Sequence, residues 1–142
     1  MNIQLLRTDV ASLKVDALVA PADPQSHEVN GRAVVVTGGN LLARFVIHVH
    51  VPSAGDDDAR AKLHAATIAA LERAEDLAVA SVGLPALGTG ANGFAVDDCA
   101  RIMLGAAVQH RSRARSLQRA VFCLFGREEY AAFESVLTEL KK

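Results

Sequence analysis

Tryptophan is missing from the 142-residue sequence, tyrosine occurs once and phenylalanine five times, so aromatics make up only 4% of the chain. A core must then be assembled from Ala, Val, Leu and Ile, which bring the hydrophobic share to 51% and the mean hydropathy to +0.21. Such a composition excludes a disordered chain. Charge of one sign is also lacking: 15 Lys and Arg stand against 16 Asp and Glu, a formal net charge of −1. No global field draws in nucleic acid, so any such role must be local. Cysteine is scarce. Cys99 and Cys123 each fall inside an apolar element, which reads as two buried thiols in a reducing compartment rather than a disulfide framework. No apolar run approaches the length of a membrane span, and the opening M-N-I-Q-L-L-R-T-D lacks the basic start and apolar stretch of a signal peptide. One cytoplasmic domain over residues 1–142, with no membrane partner and no cofactor, is the expectation.

What the chain does have is a concentration of glycine in residues 81–94, S-V-G-L-P-A-L-G-T-G-A-N-G-F. Residues 81–84 have the length of a buried strand, and helical periodicity sets in at Ala95. Between them Gly88, Gly90 and Gly93 allow positive φ and let a ligand approach the main chain, because no Cβ stands in the way. Turn amides followed by a helix N-terminus make a concave anion site, with phosphate or pyrophosphate as its natural occupant. The plainer reading is a sharp surface reversal, in which Asp97 and Asp98 complement the helix dipole from within.

Around this stretch the pattern predicts strands over residues 2–6, 15–20, 33–37 and 44–51. Pro21 and Pro24 should close the second strand. Gly38, Gly39 and Asn40 predict an antiparallel hairpin between the third and fourth. A helix over residues 58–78 should face the core with Leu63, Thr67, Ala70, Leu71, Ala74 and Leu77. A second helix, residues 95–109, buries Val96, Cys99, Ala100, Met103 and Ala107 and pairs Asp97 with Arg101. A last strand over residues 119–125 leads through Gly126 into a helix carrying Tyr130, Phe133, Leu137 and Leu140 on one face. Strands alternating with helices in the second half imply parallel pairing, hence a mixed sheet with helices packed on it.

Other candidate chemistry is thinner. Gly88-x-Gly90-x-x-Gly93 matches the dinucleotide fingerprint literally, but Pro85, Ala86 and Leu87 separate it from the strand. Arg113 and Arg115 stand about twenty residues on, where an acid should meet a ribose hydroxyl. The Gly-Lys-Ser/Thr of a P-loop does not occur. His48 and His50 share a strand face without further ligands, and Asp56, Asp57 and Asp58 read as a solvated helix start, so no metal site is expected. Arg111, Arg113, Arg115 and Arg119 form a basic edge that reads as solvated surface, the alternative being contact with phosphates of RNA or poly-ADP-ribose.

Four separated segments, in order, resemble the macro domain, a family that binds ADP-ribose. Residues 2–22 are similar to its opening strand, Gly-Asp-Ile turn and Val-Asp-Ala-Ile-Val-Asn-Ala-Ala-Asn strand. Thr37-Gly38-Gly39-Asn40-Leu41 and Phe45-Val46-Ile47-His48 resemble Thr-x-Gly-Tyr-Asn-Leu and Tyr-Val-Ile-His. Residues 85–94 carry the strongest likeness, and residues 124–133 resemble the closing strand and helix. The resemblance implies a three-layer α/β/α fold with a mixed, mostly parallel central sheet. It further implies that Asp9 accepts from the adenine amino group and that Val10 lies beside the ring. Gly88, Thr89, Gly90, Ala91, Asn92, Gly93 and Phe94 would hold the diphosphate through main-chain amides, and Phe125 would pack near the adenine. Taken alone, Asp9 also reads as a turn cap and Phe125 as a core aromatic at a strand end.

The departures are local. The family's Asn-Ala-Ala-Asn is Ala20-Pro21-Ala22-Asp23, so Asp23 puts a carboxylate where an asparagine would meet the distal ribose. Only residues 24–30 precede Gly31 where the family inserts a second glycine-rich loop and a helix. The expected function is a binding module that recognises ADP-ribose or a related adenine nucleotide weakly, without hydrolysing it. The alternatives are a hydrolase of ADP-ribose derivatives rebuilt around Asp23 or His27, and a degenerate domain kept for association or RNA binding. Loss of the helix should leave an apolar sheet face uncovered, and a homodimer that buries it is the expected partner.

Overall fold

The computed structural model describes residues 1–9, 12–21, 34–37 and 43–141. The elements run β1 (Asn2–Leu6), β2 (Ala17–Pro21), β3 (Val34–Thr37), β4 (Phe45–Val49), α1 (Ala59–Asp76), β5 (Ser81–Leu84), α2 (Val96–Arg111), β6 (Arg119–Cys123) and α3 (Arg127–Leu140). The six strands form one sheet in the order β1-β6-β5-β2-β4-β3. Five are mutually parallel, and β3 pairs antiparallel with β4, Val34 opposite His48. This is the expected mixed, mostly parallel sheet. The antiparallel pair is the expected one, although residues 38–40 of its turn lie outside the described residues.

The connections β4-α1-β5 and β5-α2-β6 step in the same direction across the sheet, and right-handed crossovers then place both helices on one face. There α1 packs on α2 and α2 on α3. Being the middle helix, α2 is buried on a wider arc than its periodicity predicts, with Ile102, Leu104, Ala106 and His110 added to Cys99, Ala100, Met103 and Ala107, while the expected Val96 at its start is only half-buried. Arg101 pairs with Glu139 of α3 at 2.7 Å, because the neighbouring helix brings a carboxylate closer, and Asp97 acts on it only as a nearby charge. Phe122 of β6 and Phe133 of α3 meet at 5.6 Å in the core beneath.

The opposite face holds a second cluster of Leu13, Val15, Leu18, Ala43, Val121 and Cys123. The chain entering β2 lies so close on β5 that a Cβ at Gly83 would stand 2.5 Å from Leu13 Cδ2. Glycine at that strand position is therefore a packing requirement. Leu18, Val46, Val121 and Cys123 are all buried on this face. Among the described residues the bare apolar patch expected to seat a dimer partner is thus not found.

Candidate functional site

The chain leaves β5 toward β6 through α2, and leaves β2 in the other direction toward β3 and β4. Neighbouring parallel strands whose connections diverge make a crevice at their carboxyl ends, the usual ligand position in an open α/β sheet. The two strands are paired only at Ala17 with Val82 and Leu18 with Gly83, and separate beyond. That separation accounts for Pro21, which was expected to close β2 and instead forms its last residue, opposite Val49. The missing N–H of proline costs little on the side where β5 no longer pairs with β2.

Residues 85–95 carry the chain out of β5 at this end of the sheet. Gly88, Gly90 and Gly93 have φ of +88°, +67° and +83°, so all three occupy the left-handed region that glycine favours. Their roles differ. A Cβ on Gly88 would come within 2.8 Å of the Phe94 ring and 3.4 Å of Leu63, whereas one on Gly90 would meet nothing within 4 Å. Gly88 is required by the packing of the loop on the core, and Gly90 stands at its exposed tip.

The amides of the loop also divide. Gly93 donates to the Gly90 carbonyl and Phe94 to the Gly88 carbonyl, at 3.0 and 2.9 Å, closing the turn on itself. The amides of Gly88, Thr89 and Gly90 have no acceptor among the described residues. Gly93 and Phe94 are thus spent within the loop, and the amides of Gly88, Thr89 and Gly90 are left for an anion. The Thr89 hydroxyl is spent on the Ala86 carbonyl at 3.0 Å. Phe94 is buried and clamps the loop from below. Asn92 sends its side-chain amide to the carbonyls of Val51 and Pro52, both at 3.3 Å, and its own carbonyl accepts from Ala54. It staples the chain leaving β4 to the loop. Ala91 belongs to the short 3₁₀ turn Gly90–Asn92.

Beside β5 lies β6, which ends at Cys123, and beyond it β1. Phe125, two residues past β6, is 75% exposed, so it is not the core aromatic that its position at a strand end allowed. Asp9 is exposed three residues past β1, and its main-chain carbonyl accepts from Ser12. Its charge reaches the buried thiol of Cys123. Desolvation first, and then Asp9, push that thiol above its ordinary range, against a hydrogen bond to the Thr8 carbonyl. Cys99, buried under the glycine loop and bonded to the Leu87 carbonyl, is pushed up to about 12 by burial and by Glu129. Both thiols are inert at neutral pH. Asp9, Phe125 and the glycine loop therefore share one end of three adjacent strands. Val10, Asp23 and His27 lie outside the described residues. No group of three or more metal-ligating side chains occurs among the described residues. No described helix is long and apolar enough to cross a membrane.

The strand-start end is built in the opposite sense, and sequence reasoning missed it. Glu75, buried in the last turn of α1, accepts five hydrogen bonds, from His110 Nε2, the amides of Arg115, Ser116 and Leu117, and the Ser116 hydroxyl. Burial alone would raise its pKa, but the amides of Leu117 and Arg115, His110 and the Ser116 amide outweigh it and lower the carboxyl to about 2. Asp16 plays the same part at the head of β2, its Oδ2 accepting from the amides of Ala80 and Ser81 and from the Ser81 hydroxyl. Nothing local to Glu75 signals this, since its partners are about forty residues away.

Comparison with known proteins places this geometry. Residues 16–103 match the macro domain family. An uncharacterized protein of Mycobacterium tuberculosis is 41% identical over 107 residues, 75% of this chain and 29% of the relative, so the chain spans about three tenths of that protein. A macro domain-containing protein of Caldanaerobacter subterraneus subsp. tengcongensis is 33% identical over 114 residues, 79% of this chain and 65% of the relative. Among solved structures, the Oceanobacillus iheyensis macrodomain with ADP superposes with a TM-score of 0.88 at 18% identity, covering 96% of this chain and 90% of that one. The Trypanosoma brucei macrodomain in complex with ADP gives 0.83 at 21% identity, covering 96% and 69%. At these identities the likeness establishes the fold.

Proposed function

The chain belongs to the macro domain family, and from that premise we propose that it is a binding module for ADP-ribose or a related adenine nucleotide. The observation that carries this reading is the set of amides at Gly88, Thr89 and Gly90, which have no acceptor among the described residues and stand at the crevice between β5 and β2. A diphosphate supplies the acceptors they lack. Phe125, exposed at the end of β6, offers a ring to the base, and Asp9 at the end of β1 offers an acceptor to its amino group. The neighbouring folds crystallised with ADP support the same class of ligand.

Recognition is weak and non-hydrolytic in this reading. Ala20-Pro21-Ala22-Asp23 supplies no asparagine for the distal ribose, and a carboxylate in that place would repel a neighbouring diphosphate. Calorimetry with ADP-ribose tests binding on the parent and on Gly90→Glu, with Gly90→Asn as a neutral control that tolerates the left-handed backbone. Heat should be seen with the parent and lost with the glutamate variant. Heat that survives the glutamate moves the ligand elsewhere, and a parent that gives none removes the nucleotide reading. Release of ADP-ribose from a modified protein, at a rate lost in Asp23→Ala, would restore the hydrolase alternative.

A further inference from the structure

At the edge of the sheet farthest from β3, strand β1 has no neighbour on its outer side among the described residues. Its five residues, N-I-Q-L-L, include neither a charge nor a proline. Edge strands in isolated domains are commonly protected by such residues. Its free row of main-chain groups can be identified from the pairing with β6. The Asn2 amide donates to Gln118 and the Leu6 carbonyl accepts from Leu124, so Asn2, Gln4 and Leu6 turn their main chain inward. Alternation then turns the amides and carbonyls of Ile3 and Leu5 outward.

A groove of about 520 Å³ runs beside this row, lined by β1 and by Tyr130, Glu134, Leu137 and Lys141 of α3. Leu6, which lines it, is 43% exposed, and Leu140, next to the lining residue Lys141 and expected on the core-facing side of α3, is 42% exposed. We propose that β1 is the seam of a homodimer, two copies joining antiparallel along β1 about a twofold axis at Gln4. Ile3 of each chain then exchanges hydrogen bonds with Leu5 of the other, about four in all. The same axis sets the two α3 helices antiparallel. The Lys141 end of one faces the Tyr130 and Glu134 end of the other, so the groove's own positive and negative groups are complementary to a second copy. The sheet becomes continuous across both chains, and the nucleotide sites, at the carboxyl ends of the strands, stay open.

Sedimentation equilibrium at about 100 µM should return a mass near 30 kDa, twice the 15.0 kDa chain. Gln4 meets its own copy at the axis on the face that carries Arg119, whose Nη1 reaches Gln4 Oε1 at 3.4 Å. Gln4→Lys places two ammonium groups opposite each other and should weaken the dimer more than about tenfold, and an equimolar mixture with Gln4→Glu should restore association. Amide exchange at Ile3 and Leu5 in the parent should slow as concentration rises. A parent of monomeric mass overturns the proposal. So does a dimer unaffected by Gln4→Lys, or one whose Ile3 and Leu5 amides exchange as fast as in dilute solution. If the lysine variant does not fold, the exchange measurement decides alone.

Discussion

The two ends of the sheet solve one problem in opposite ways. At the strand-start end, the turn at residues 115–117 gathers three amides around the Glu75 carboxylate, which the chain itself supplies. At the strand-finish end, the turn holding Gly88, Thr89 and Gly90 offers three amides that meet no carboxylate or carbonyl of the described residues. Gly88 is buried, Thr89 half-buried and Gly90 exposed, and a buried or half-buried donor needs an acceptor, which the described residues do not supply here. One end is a finished structural joint. The other leaves three amides without an acceptor among the described residues.

Replacing Glu75 with alanine should turn the finished end into a copy of the open one, at the cost of stability. Three amides and the His110 ring lose their acceptor in the interior, which should cost about 3–5 kcal/mol in urea unfolding. A loss below about 1 kcal/mol would mean that water fills the joint as readily as the carboxylate does. The pH dependence sharpens the same contrast. The Glu75 carboxyl is lowered in the folded state from 4.5 to about 2, so its contribution is fully present above pH 4.5 and disappears as the pH falls toward 2. It amounts to about 3 kcal/mol, and that part of the acid sensitivity should be missing from Glu75→Gln.

Asp16→Ala removes the second internal acceptor, and unfolding should show a loss of about 2 kcal/mol with ligand affinity unchanged. At the open end the pattern should reverse. Phe125→Ala should leave stability within about 0.5 kcal/mol of the parent because the ring is exposed. ADP-ribose affinity should nevertheless fall by about 1 kcal/mol through lost stacking on the base. If Phe125→Ala proved as destabilising as Asp16→Ala, the ring would belong to the fold and not to the site.

Much of this end was legible in the chain itself. Glycine spacing located the loop, and the segment resemblance indicated which residues gather at the strand ends. The division of labour within the loop was not legible. Gly88 answers to the Phe94 ring and Leu63, while Gly90 answers to nothing among the described residues, yet both are glycines with positive φ. Nor did the sequence indicate that the Asn92 side chain is a staple to Val51 and Pro52, forty and more residues away. The Asp97 and Arg101 pair failed for the same reason, since Glu139 of α3 is nearer than the local partner that helix spacing suggests.

Local order belongs to the sequence: periodicity set the strands and helices, scarcity of aromatics set an aliphatic core, and glycine set a turn at residue 88. Those properties depend on neighbours within a few positions, where backbone sterics and hydrophobic alternation act directly. The tertiary structure alone decided that β1 is an edge among the described strands, that β5 and β2 part at their ends, and that Glu75 and Asp16 collect distant main-chain amides at the strand-start end. Each of these depends on groups brought together from distant parts of the chain, and spacing along a single strand or helix carries no record of them.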